Sequence, residues 1–204
     1  KREISLNGGP DLGTGKQTLD QFKSYKQGEE YIVEPTYKND SLKVKWTFHK
    51  SRFPKLEYSY ITKDAADFMG ITFNYPEEKI TGMKWIGRGP YRVWKNRLKG
   101  QQFGVWEKAY NNTITGESWI YPEFKGWYSE LYWVRLQNKE SDFTVYTDQP
   151  KIYLGMMKPG KAKATINNST NPLYPEGNMA YMNGIPPIGR WNENTSELQS
   201  QRFP

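Results

Sequence analysis

The chain has no cysteine, a single histidine and no long apolar run in its 204 residues. Zero cysteines exclude a disulfide scaffold, thiolate-bound zinc, an iron–sulfur cluster and a cysteine nucleophile. One imidazole, that of His49, excludes any site needing two, including the His-based zinc hydrolases. The longest apolar stretches are a few residues, as in Ile185-Pro186-Pro187-Ile188, against the roughly 20 that a membrane span requires. No membrane partner is therefore expected. A Gly-x-Ser-x-Gly elbow and a Gly-x-x-x-x-Gly-Lys-Ser/Thr phosphate loop are both missing. Gly87-Arg88-Gly89-Pro90 has the glycines of a phosphate loop, but Pro90 lacks a backbone donor and no helical pattern follows it. No cofactor and no metal are expected. The chain starts at Lys1 without a basic-then-apolar leader, which reads as a processed protein or a piece of a longer one.

Aromatic side chains are plentiful: 8 Trp, 15 Tyr and 9 Phe. That content argues against disorder, since disordered chains lack the aromatics whose burial offsets ordering entropy. Lys and Arg outnumber Asp and Glu by 29 to 22, a formal charge of +7. The cations are scattered, and the densest stretch, 88–99, is interrupted by Gly89, Pro90 and Trp94. They read as a solvated surface, and no nucleic-acid partner is expected.

Period-two alternation dominates the chain. In Leu42-Lys43-Val44-Lys45-Trp46-Thr47-Phe48-His49, the apolar residues fall on one face and the polar residues, His49 included, on the other. Residues 56–60 and 71–75 repeat the pattern, and further strands are expected at 31–34, 83–86, 104–108, 130–137, 143–146 and 152–154. Short helical turns are candidates at 63–69 and, from mixed spacing, at 17–26. From Lys158 the composition shifts to Asn, Pro and Gly, which reads as a loop-rich end of the same domain over 158–204. The fold class expected is all-β: a sandwich, one domain over 1–204.

Retaining or inverting glycoside hydrolysis needs two carboxylates flanking one bond. Glu29-Glu30 and Glu77-Glu78 are adjacent in sequence and point to opposite faces of a strand, so neither doublet can do this. Trp and Tyr faces can instead stack on the C–H faces of sugars. Trp46 and Trp133 lie on alternating strands and are expected in the core. Trp119, Trp127 and Trp191 lie among turn residues, where core burial and an exposed sugar platform both remain open. Five Asn-x-Ser/Thr sequons, at Asn39, Asn111, Asn167, Asn168 and Asn194, are read as chance matches.

Trp85-Ile86-Gly87-Arg88-Gly89-Pro90, then Trp94, Asn96-Arg97 and Gly100, form one motif, and Tyr121-Pro122-Glu123-Phe124-Lys125-Gly126 forms another. Ile4-Ser5-Leu6-Asn7-Gly8-Gly9-Pro10 and Gly184-Ile185-Pro186-Pro187-Ile188-Gly189 lie near the two ends. In these blocks the chain resembles the C-terminal, small-chain sandwich of family-two β-galactosidases. The resemblance implies a supersandwich of two large, mostly antiparallel sheets, like the galactose-mutarotase fold. It implies a terminal, non-catalytic domain of a bacterial retaining glycosidase whose catalytic glutamates belong to an upstream barrel; a periplasmic or secreted location is favoured as an expectation. Its partners would be that barrel, the parent's sandwich domains and carbohydrate. An aromatic near the C-terminus of the family's domain can reach the sugar, and Trp191, with neighbouring Arg190, holds that place here. The family has Glu where Arg92 stands and Asp where Asn96 stands, so a local acid–base pair is replaced and the substrate need not be a galactoside.

Overall fold

The alternation over 42–49 becomes strand β4 (Leu42–His49), in which Leu42 and Val44 are buried and Lys43 is exposed. The apolar face fades along the strand, from half-buried Trp46 to exposed Phe48. The reason is position: the small core of Leu42 and Val44 with Tyr37, Tyr58 and Tyr60 lies at the Leu42 end. Phe48 instead stacks on Trp46, ring centroids 6.0 Å apart.

The computed structural model describes residues 4–5, 18–38, 42–61, 69–91, 93, 100–109, 127–156 and 179–185. Among them the fold is all-β, with every strand pairing antiparallel. The other strands are β1 (Ile4–Ser5), β2 (Leu19–Gln27), β3 (Glu30–Tyr37), β5 (Arg52–Tyr60), β6 (Met69–Phe73), β7 (Ile80–Gly89), β8 (Gln102–Ala109), β9 (Trp133–Asn138), β10 (Phe143–Tyr146), β11 (Tyr153–Met156) and β12 (Met179–Gly184). A 3₁₀ turn, Glu77–Lys79, precedes β7. The strands form three four-stranded sheets, ordered β1-β6-β12-β11, β10-β9-β7-β8 and β2-β3-β4-β5.

The first two sheets share one core. Ile71, Leu154, Met156, Met179 and Tyr181 from the first meet Met83, Trp85, Val134 and Leu136 from the second, with Tyr128, Leu131 and Ile152 between. Trp85 is fully buried and lies 4.3 Å, centroid to centroid, from Tyr128. At about 25 cal/mol per Å² of apolar surface, an indole of that burial contributes on the order of 4–6 kcal/mol before entropy is counted. The third sheet is a meander whose β5 packs Leu56 and Tyr58 against the same core. Tyr60 Oη donates to Asn183 Oδ1 at 2.8 Å, tying β5 to β12.

Two readings change here. Of residues 17–26, considered for a helix, 19–26 lie in the edge strand β2 (Leu19–Gln27), exposed on both faces. Trp46 and Trp133 are half-buried, and the fully buried indoles are Trp85 and Trp127. The helical candidate at 63–69 lies outside the described residues, except that Met69 opens β6.

Candidate functional site

The Gly87-Arg88-Gly89 motif closes β7, where its glycines make room for neighbouring groups. A Cβ on Gly87 would stand 2.9 Å from Glu130 O and 3.0 Å from Ser129 O. One on Gly89 would stand 2.7 Å from Trp106 Cδ1. The indole of Trp106 therefore lies flush on the end of β7 and donates from Nε1 to Gly87 O at 3.2 Å. Arg88 N donates to Ser129 O at 2.8 Å and Tyr132 N to Ile86 O at 3.0 Å, so the 129–132 segment is stitched to the same strand. Arg88 Nε meets Glu130 Oε1 at 2.7 Å, with both side chains 40% exposed. The guanidinium of Arg88 is thus held by a carboxylate. Glu130 takes a left-handed φ of 52°, a conformation that costs a non-glycine residue about 1–3 kcal/mol and here aims its carboxylate at Arg88. Beside this corner, Gln101 bridges Ser129 Oγ, which donates to its Oε1 at 3.0 Å, and Tyr91 O, which accepts from its Nε2 at 3.2 Å.

Of the sequence-predicted site residues, Trp127 is only 1% exposed. Its segment carries turn-like glycine and lysine, yet two β-bridges run through it: Val93 with Trp127, and Tyr128 with Leu154. Those bridges place the Trp127 indole in a core of Val93, Ala180, Met182 and Ile185. There it presses on Gly155, whose added Cβ would fall 2.0 Å from the ring. A face so covered cannot stack on a sugar. Ile185, which opens the apolar part of the Gly-Ile-Pro-Pro-Ile-Gly block, is fully buried in that same core. Trp119, Arg190 and Trp191 lie outside the described residues.

His49 is a turn residue. Its Nδ1 accepts from Ser51 N at 3.1 Å, which leaves the proton on Nε2 to donate to Glu29 Oε2 at 3.1 Å. The ring thereby joins the β2–β3 and β4–β5 turns of the meander, and Glu29 is taken up by it. No group of three or more His, Cys, Asp and Glu able to hold a metal occurs among the described residues.

Sequence reasoning looked for exposed aromatics in loops, and the structure displays them on strands or, for Tyr132, immediately before one. Phe103, Tyr132 and Tyr146 are more than half exposed, and Phe53 is 82% exposed. Phe103 and Tyr132 meet edge to face at 5.5 Å, and Phe53 stacks on Tyr146 at 6.0 Å. The signal was present in β8: in Phe103-Gly104-Val105-Trp106, the residues alternating with Trp106 are themselves apolar.

The family model described as the beta galactosidase small chain matches residues 11–172. No curated protein matches the chain. The matched stretch contains every element from β2 to β11, including the Gly87-Arg88-Gly89 corner and its Glu130 partner. This chain belongs to the beta-galactosidase small-chain family, a domain that associates with a larger catalytic part.

Proposed function

We propose that the chain is the non-catalytic C-terminal domain of a retaining β-galactosidase-like glycoside hydrolase, one sandwich that packs on the catalytic barrel. The observation that carries this reading is the family match over 11–172. In the reaction proposed, two carboxylates of the barrel do the bond chemistry, one as acid and base and one as nucleophile. This domain supports them by placing Trp191, with Arg190 beside it, against the sugar. An indole face covers apolar C–H surface and a guanidinium donates to hydroxyls, so the pair would bind and orient rather than transfer protons. The burial of Ile185 fits that role, because it anchors the chain a few residues before Arg190.

The test is an assay of the purified chain alone and of the parent enzyme. The chain alone should give no turnover of an aryl β-galactoside. In the parent enzyme, Trp191→Ala should raise KM or lower kcat/KM by about tenfold or more, the loss of one stacking contact plus its desolvated surface. Turnover by the isolated chain would sink the accessory reading. An unchanged kcat/KM in the variant would remove Trp191 from the sugar site.

A further inference from the structure

The outer face of the β10-β9-β7-β8 sheet carries an apolar row that the core does not use. Strand register aligns Val105 with Ile86, Ile86 with Trp133, and Trp133 with Tyr146, one residue from each of the four strands. Side chains opposite one another in antiparallel strands share a face. The opposite face of the same strands holds Trp85, Val134 and Val145, which pack on the shared core. Val105 and Tyr146, at the two ends of the row, are more than half exposed. Phe53 extends the row past Tyr146, and the Phe103–Tyr132 pair lies beside its other end.

Charged pairs flank this row on both sides. Arg88 and Glu130 stand on one flank, at 2.7 Å. On the other, Lys84 faces Glu107 at 3.9 Å, and Arg135 binds Asp142 through Nη2 at 2.9 Å and through Nε at 3.0 Å. Each cation of these three pairs is answered by a carboxylate of the same surface. An anionic ligand would have to displace those carboxylates, so the face is matched to a neutral one.

Size separates the neutral ligands. Three inter-strand gaps of about 4.8 Å make the row roughly 14 Å long, and same-face neighbours along a strand limit its width to roughly 7 Å. With the flanking rings the apolar surface reaches a few hundred Å², well short of the ~800 Å² per partner of a stable protein interface. A narrow aromatic track edged by paired carboxylates, guanidinium and ammonium groups suits a chain of sugar rings. The rings take the C–H faces, and the paired ions exchange hydrogen bonds with hydroxyls on either side.

We infer that this face is a binding track for a neutral glycan. Tyr146 and the Phe103–Tyr132 pair are its stacking platforms. Arg88–Glu130 and Arg135–Asp142 are its hydroxyl-binding edges. The track needs only the isolated chain, so it stands or falls independently of any catalytic partner.

Affinity electrophoresis of the purified chain through gels containing soluble galactan, mixed-linkage glucan or arabinoxylan tests it, with polygalacturonate as the anionic comparison. At least one neutral polysaccharide should retard the chain, and retardation should persist in high salt. Tyr146→Ala and Tyr132→Ala should each weaken it about tenfold or more, with near-UV circular dichroism confirming the fold. Tyr146→Phe, which keeps the ring, should bind within about threefold of the original. Four outcomes overturn the proposal: no retardation by any neutral polysaccharide; retardation by polygalacturonate alone that salt abolishes; retardation unchanged in both alanine variants; or a concentration-dependent dimer in sedimentation that Tyr146→Ala dissolves. Loss of binding in Trp191→Ala with Tyr146→Ala unaffected would also overturn it, while leaving the proposed function in place.

Discussion

Close approach of backbone to ring is what fixes the motif residues. Gly155 and Trp127 show it most sharply, since even a methyl group at position 155 would overlap the indole. Gly155→Ala should therefore force Trp127 off its seat in the Val93, Ala180, Met182 and Ile185 core, at a cost of about 1–3 kcal/mol. Urea denaturation would read this as a lower midpoint with an unchanged slope, and an unchanged midpoint would mean that the indole does not lie on Gly155. The same residue shows a limit of sequence reading. Trp127 follows Lys125-Gly126 and looks like a turn residue, but its burial comes from bridges to Val93 and, through Tyr128, to Leu154. These partners lie 34 and 26 positions away, and no local pattern carries them. Trp85 shows the same limit: the sequence marks it only as a motif residue and assigns Trp46 and Trp133 to the core, whereas β7 buries Trp85 between two sheets.

Among the strands, legibility followed exposure. Strands with one face wet and one dry, such as β4 and β10, were found at their observed boundaries because alternation is the imprint of half-burial. β12 was missed because it lies between β6 and β11 with nearly every residue buried, so Met179-Ala180-Tyr181-Met182 has no polar face to alternate with. β2 was missed for the opposite reason: both of its faces are exposed, and its sequence mixes Lys, Gln and aromatic residues without period. The β9–β10 hairpin offers a test at this scale. Asp142 Oδ1 accepts from Asn138 N at 2.9 Å, closing the turn, while Oδ2 receives Arg135. The Asn138 backbone bond above all holds the Asp142 carboxyl below its usual value, against the opposing push of burial and with Arg135 adding to the lowering. A depressed folded pKa gives stability that is present above the unfolded value of about 3.8 and is lost as pH falls through the folded one. Amide exchange at residues 138–146 should thus accelerate on acidification below about pH 4, relative to the β7–β8 ladder. Asp142→Asn should show the faster exchange already at neutral pH. Equal acid sensitivity of the two ladders would count against the Asp142 lock.

Across the molecule, the aromatic excess that stood out in the composition divides into a core set and a surface set, and tyrosine chemistry can separate them in solution. Burial raises the hydroxyl pKa of Tyr37, Tyr58, Tyr153 and Tyr181, and of Tyr60, where neighbouring Tyr58 adds to it. In Tyr60 and Tyr181 the displacement is large. Tyr60 joins the meander to the rest through a chain in which its hydroxyl donates to Asn183, and Asn183 Nδ2 donates to Gln149 Oε1 at 3.0 Å. Ionising Tyr60 removes the proton that it donates and places a charge in a half-buried site. For a group whose folded pKa is raised, stability is intact below the unfolded pKa of about 10 and declines as pH climbs from there toward the folded value. Phenolate absorbance during an alkaline titration should therefore rise in two stages. In the later stage the core tyrosines ionise together with loss of the near-ultraviolet circular dichroism signal. Tyr60→Phe deletes the donor and leaves Asn183 Oδ1 without it, which should lower neutral-pH stability by about 1–2 kcal/mol. It should also move the second stage to higher pH relative to that lowered baseline, because one of the groups driving alkaline unfolding is gone. A single-stage titration, with all tyrosines ionising while the circular dichroism signal is intact, would contradict the division of the aromatics between core and surface.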